Sequence, residues 1–90
     1  MATVYIPSLM RDITSQAKVQ VAGSTVRQIV DNLEQAYPGL KDRLIEDNRL
    51  RESISVVVDG EVTPIGLLEK VGEDSEVHFV PAIAGGNIVR

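Results

Sequence analysis

The sequence predicts an α+β domain in which one main helix covers one face of a sheet, and three observations predict it. A capped, amphipathic run spans residues 25–37. Short β-favouring runs lie on both sides of it, and Gly, Pro and Asp punctuate every junction between them.

Thr3 to Ile6 favours extended structure and is stopped by Pro7, while Lys18-Val19-Gln20-Val21 alternates polar with apolar as a half-buried strand does. These read as two strands joined by a polar loop. Ala22-Gly23-Ser24 breaks the second strand, and Thr25-Val26-Arg27-Gln28 has the capping-box form, in which hydroxyl and amide side chains satisfy helix-start amides reciprocally. A helix begins here. Val26, Ile29, Val30 and Leu33 recur at helical spacing with Tyr37 four further on, and Arg27, Gln28, Asp31, Asn32, Glu34 and Gln35 fill the other faces. One side packs on the sheet. Pro38-Gly39 ends the helix, because proline disfavours helical geometry for Tyr37 and glycine relaxes the turn.

Leu40, Leu44 and Ile45 suggest a second short helical turn, and Glu46-Asp47-Asn48-Arg49 reads as an exposed loop with Leu50 tucked beneath it. Ile54-Ser55-Val56-Val57-Val58 is the strongest strand signal, and Asp59-Gly60 is a favoured tight-hairpin pair leading into Glu61-Val62. Residues 63–68 are too interrupted for a long helix. Gly72-Glu73-Asp74 is a turn before Glu76-Val77-His78-Phe79-Val80, a last strand closed by Pro81, with Val77 and Phe79 on one face. The expected order is β-β-α-β-β-β, without repeat or linker through residue 81.

The chain has 90 residues, a formal net charge of −4, 43% apolar and 24% charged residues, which suits one small globular domain rather than disorder. It contains no cysteine and one histidine. That composition removes disulfides, cysteine-ligated zinc, iron–sulfur clusters, thiol nucleophiles and a self-contained histidine-rich metal site. An acidic chain is poorly suited to the phosphate backbone, so no nucleic-acid partner is expected. No stretch approaches the ~18 apolar residues of a membrane span, so no membrane role is expected either. The opening Met1-Ala2-Thr3-Val4-Tyr5-Ile6 lacks a charged region before its apolar residues, unlike a signal peptide, and the cytoplasm is the expected compartment.

Few residues offer chemistry. Nucleophilic catalysis by Ser or Thr needs a base in reach, and His78, the single imidazole, falls on the outward parity of the last strand, where it reads as a solvent-facing residue. Glu46-Asp47 and Glu73-Asp74-Glu76 match no calcium-loop spacing and read as solvated turns, so no metal site is assigned. Gly23, Gly60, Gly66 and Gly72 are isolated turn residues that form no phosphate cradle, and Lys41, Arg43, Arg49 and Arg51 are interleaved with acids. No catalytic residue is assigned.

Ala82-Ile83-Ala84-Gly85-Gly86-Asn87-Ile88-Val89-Arg90 differs from the rest. It follows a proline, shows no amphipathic period and carries two consecutive glycines, so residues 82–90 read as a flexible tail on a 1–81 domain. Fully extended it would reach about 30 Å. A Gly-Gly pair has no side chains to obstruct a narrow channel, which is what enzymatic activation of a protein carboxyl would require.

At this point the chain resembles the MoaD/ThiS group of ubiquitin-like sulfur carriers. The resemblance rests on the two opening strands, Gly23-Ser24-Thr25-Val26, Tyr37-Pro38-Gly39, Val56-x-Val58-Asp59-Gly60 and above all Glu76-Val77-His78-Phe79-Val80-Pro81-Ala82-Ile83-Ala84-Gly85-Gly86. Ile6-Pro7-Ser8-Leu9-Met10-Arg11 and the Pro81-to-Gly86 ending look closest to the CysO-like branch. The resemblance implies a β-grasp fold, a mixed sheet of four to five strands on one helix, and a carrier rather than an enzyme. It implies that an E1-like adenylating enzyme uses ATP to activate the Gly86 carboxyl, after which a sulfur donor leaves a thiocarboxylate; the carrier itself binds no cofactor. The sulfur-accepting enzyme would be cysteine-synthase-like, and the docking surface would be the exposed sheet face with Pro81, Ala82, Ile83 and Ala84.

The departure is Asn87-Ile88-Val89-Arg90, which puts an amide bond where the family has a free carboxylate. Cleavage between Gly86 and Asn87 by a processing protease is the favoured explanation. The alternatives are service to a molybdopterin-synthase large subunit or to thiamin-thiazole synthesis, a β-grasp interaction module with an inert Gly-Gly, and a ubiquitin-like conjugation tag.

Overall fold

The computed structural model describes residues 1–82. In chain order these form β1 (Ala2–Tyr5), a 3-10 turn (Ser8–Met10), α1 (Arg11–Thr14), β2 (Lys18–Val21), α2 (Val26–Ala36) and α3 (Leu40–Leu44). There follow β3 (Ile45–Glu46), β4 (Arg49–Leu50), β5 (Ile54–Val58), β6 (Glu61–Val62), a second 3-10 turn (Gly66–Leu68) and β7 (Glu76–Pro81). The main sheet has the order β2-β1-β7-β5-β6, and β3 and β4 form a separate two-stranded ribbon. β1 and β7 run parallel at the centre, while the outer pairs are antiparallel. This is the ubiquitin-like β-grasp arrangement, and its mixed sheet has five strands, within the four to five that the resemblance implies.

The apolar stripe of α2 builds the core. Val26, Ile29, Val30 and Leu33 are buried in one cluster with Val4, Val56, Val77 and Phe79 from the inner sheet face, and Tyr37 packs at its edge. The Thr25 hydroxyl accepts from the Gln28 backbone N–H at 3.2 Å, capping the helix as its sequence requires. The reciprocal bond is displaced by one residue: Gln28 Oε1 accepts from the Ser24 backbone at 2.8 Å and its hydroxyl at 3.0 Å. Thr25 is instead bridged to Lys70, which ties the helix start to the segment leading into β7. At the other end the Glu34 carboxylate accepts backbone N–H groups of Lys41 at 2.9 Å and Gly39 at 3.1 Å. Those bonds, led by the one from Lys41, hold the Glu34 carboxyl below its ordinary range.

Three expectations need correction. The polar loop between β1 and β2 contains helical turns, because Met10 and Thr14 are buried there and the Thr14 hydroxyl bonds both the N–H and C=O of Gln16. Arg43 fixes this segment from α3 by a two-pronged contact with the Asp12 carboxylate at 3.0 Å, which lowers the Asp12 pKa. The expected loop at 46–49 is a hairpin: Asp47 and Asn48 adopt φ of 55° and 64°, the left-handed geometry that a two-residue turn needs and that short polar side chains tolerate. Ile45 consequently leaves the helix and starts β3. Pro81 does not end β7 from outside but is its last residue, paired with Ile54, where its missing N–H breaks no interior ladder bond.

Candidate functional site

β7 is the strand that leads to Gly85-Gly86, and its placement defines the site. It lies between β1 and β5: β1 pairs its first half, Glu76 to His78, and β5 pairs Val77 to Pro81, so the exit of the chain is held from the β5 side. Its start is clamped from the β5–β6 hairpin. Asp59 accepts from the Glu76 backbone N–H at 2.9 Å and the Ser75 hydroxyl at 2.8 Å, and these bonds, the backbone one foremost, lower the Asp59 pKa. At the far end Ala82 N–H donates to Ser53 O at 2.8 Å.

Alternation divides β7 cleanly. Val77 and Phe79 enter the core, whereas Glu76, His78 and Val80 point to the helix-free face. Strand register sets Lys18, Tyr5, His78, Val57 and Val62 in one row across all five strands of that face. Tyr5 and His78 stack with ring centroids 4.1 Å apart and planes within 3°. Lys18 Nζ sits 6.0 Å from the Tyr5 ring centroid, and His78 Nε2 lies 3.8 Å from the Glu76 carboxylate. His78 is thus a half-covered member of an aromatic pair rather than a freely solvated strand residue. The row is apolar and aromatic at its centre and charged at one margin, the composition of a protein-binding surface.

Two clefts flank the exit. One of about 450 Å³ is apolar, lined by Pro7, Met10, Ile54, Phe79, Pro81 and Ala82. The other, of about 380 Å³, lies toward the aromatic pair and is lined by Tyr5, Pro7, Arg11, Ala17, His78 and Pro81. A partner that receives the chain beyond Ala82 would therefore meet apolar relief on either side of the strand that delivers it.

Of the residues singled out from sequence, Pro81 and Ala82 lie at this exit. Ile83, Ala84, Gly85, Gly86 and Asn87 lie outside the described residues. Among the described residues no cluster of three or more His, Cys, Asp or Glu is arranged to hold a metal ion. No helix among them is long and apolar enough to cross a membrane. Sequence reasoning missed Tyr5 as a site residue. The usable signal was its outward parity on β1, shared by His78 on β7, but their pairing depends on a parallel register between the two ends of the chain.

Comparison with known proteins identifies the family to which this fold belongs. The model of the ThiS family matches residues 4–86. Sulfur carrier protein CysO of Mycobacterium tuberculosis is 30% identical over 90 residues, covering 93% of this chain and 97% of that protein. The molybdopterin synthase sulfur carrier subunit of Mycobacterium tuberculosis is 32% identical over 76 residues, 83% of this chain and 81% of that one. A chain of the Amycolatopsis orientalis BexX/CysO complex superposes with a TM-score of 0.87 at 34% identity, covering 96% of this chain and all of the other.

Proposed function

Since this chain belongs to the ThiS family, we propose that it is a sulfur carrier activated at the carboxyl of Gly86 after removal of residues 87–90. The observation that carries the reading is the extent of the family match, which ends at Gly86 and leaves Asn87 to Arg90 beyond it. A processing protease hydrolyses the Gly86–Asn87 amide, freeing a carboxylate. That carboxylate is a poor acyl electrophile. In the E1-like partner it attacks the α-phosphorus of ATP and expels pyrophosphate, giving a mixed anhydride with a good leaving group. Hydrosulfide from the sulfur donor attacks the acyl carbon, AMP departs with the electron pair of the broken C–O bond, the proton is lost to solvent, and the thiocarboxylate remains as a nucleophile.

The chain's own contribution is mechanical. β7 holds the exit in register, the pair of glycines offers a backbone without side chains to a narrow channel, and the Tyr5–His78 face with Pro81 and Ala82 provides the docking surface. These are partner-binding roles, and the reaction groups belong to the enzymes that act on it. ATP use by the activating enzyme also fits the cytoplasm. The client we favour is a cysteine-synthase-like acceptor, following the CysO relative; a molybdopterin-synthase large subunit is the second reading, carried by the molybdopterin-related relative.

The test is reconstitution with the activating enzyme encoded in the same host. A chain ending at Gly86 should form AMP and pyrophosphate from ATP and gain a thiocarboxylate when sulfide is supplied, and the full-length chain should do neither. Equal activity of both forms, or inactivity of both, contradicts the proposal. Presenting the thiocarboxylate to each acceptor in turn then decides the client.

A further inference from the structure

A second surface adjoins the end of the aromatic row at which Val62 stands. Of the four large apolar residues that are conspicuously exposed among the described residues, three lie within residues 62–68: Val62 at 65%, Ile65 at 52% and Leu68 at 73%. Ile65 and Leu68 line a groove of about 390 Å³ together with Asn48, Arg49 and Leu50 of the β3–β4 hairpin and Arg27 of α2. The groove shares no lining residue with either cleft at the tail exit.

Its walls are tied in place. Thr63 N–H bonds Val56 O, and the Thr63 hydroxyl holds both the Ile65 N–H and the Glu69 carboxylate. Leu68 and Glu69 close the 3-10 turn onto Ile65 and Gly66, and Leu67 anchors it in the core. Arg27 Nη2 donates to Asn48 O at 3.0 Å, joining α2 to the hairpin. The exposed apolar side chains are therefore displayed on an ordered platform, which spares a binding partner the cost of ordering a loop.

Charge indicates what would cover it. The chain carries 13 acidic against nine basic side chains, yet no carboxylate lines this groove among the described residues, and Arg27 and Arg49 do. Glu46, opposite Arg49 in the hairpin, is engaged by Arg51 at 3.4 Å. The geometry points to a second docking surface, in which a protein segment bearing apolar side chains flanked by carboxylates seats between Ile65, Leu68 and the hairpin. It stands independently of the sulfur-carrier reading, and it leaves the tail exit open while occupied.

The test places the photo-crosslinking residue p-benzoylphenylalanine at Leu68 in the full-length chain, in its native host, and maps the captured peptide by mass spectrometry. The expected product is one discrete peptide with Asp or Glu beside its apolar residues, and Arg49→Glu should reduce its yield about tenfold. Thermal melting of that variant should fall slightly, because it sets a like charge opposite Glu46, whereas Arg49→Gln, which does not, should melt with the parent and still reduce the yield. A crosslink to a second copy of this chain, to a peptide without carboxylates, or to many peptides in proportion to their abundance overturns the proposal, as does a yield insensitive to Arg49→Glu. A second crosslinker at Val57 reports on the aromatic face separately, so loss of one surface is distinguishable from loss of the other.

Discussion

On β7 the inward residues Val77 and Phe79 are 0% and 3% exposed, while His78 between them and Val80 beyond them are half-buried on the other face. The two faces come from the same strand and are one residue out of phase. The inner face is filled by aliphatic side chains and one phenylalanine, held by volume alone. The outer face is specified by direction: two rings stacked in parallel, a lysine at one end and a valine pair at the other. The difference teaches that folding and partner recognition draw on interleaved but separate sets of residues, so each is open to damage without the other.

The largest effect should come from the inner face. Phe79→Ala should cost about 3–5 kcal/mol in urea unfolding, because it removes the single phenylalanine of a small core and leaves a cavity. A loss below ~1 kcal/mol would mean that the inner face is not the seat of stability. Next is the cap of the helix that covers this face. Thr25→Ala should cost about 1 kcal/mol by losing the acceptor for the Gln28 N–H, with the urea midpoint shifted at unchanged slope.

Asp59 links the faces by clamping the start of β7, and its effect depends on pH. Its folded pKa is depressed by the Glu76 N–H and then the Ser75 hydroxyl, so its stabilisation is complete above the ordinary aspartate value of 3.8 and is lost as pH falls through the lower folded value. Asp59→Asn should therefore melt earlier than the parent at neutral pH, and the gap should close in acid. A gap independent of pH would show that the ionised carboxylate is not responsible. The smallest stability effect belongs to the outer face: His78→Ala should shift unfolding by less than about 1 kcal/mol while weakening binding to the activating enzyme about tenfold. Titration calorimetry and melting on the same sample separate the two.

What could be read from the sequence was what local chemistry decides. β2 matches its alternating run, α2 begins at its threonine cap and stops before Pro38-Gly39, and Asp59-Gly60 makes the expected tight turn with φ of 52° and 87°. Asp47-Asn48 makes the same kind of turn without a glycine, and without strong strand residues on both sides it read as a loop. The turns at Ser8–Thr14 escaped because their anchors, Met10 and Thr14, are buried by distant elements. The site divides likewise. Gly85-Gly86 stands out as a motif, but the Tyr5–His78 pair exists only once β1 and β7 lie side by side, a long-range register that no local pattern encodes.

The central claim is that Gly86 becomes the working terminus and holds sulfur. Intact-mass measurement of the protein isolated from its native host tests it most directly. A chain lacking Asn87 to Arg90, and heavier than the corresponding carboxylate by the difference between one sulfur and one oxygen atom, is the predicted result. A population that retains Arg90 under every growth condition would contradict it.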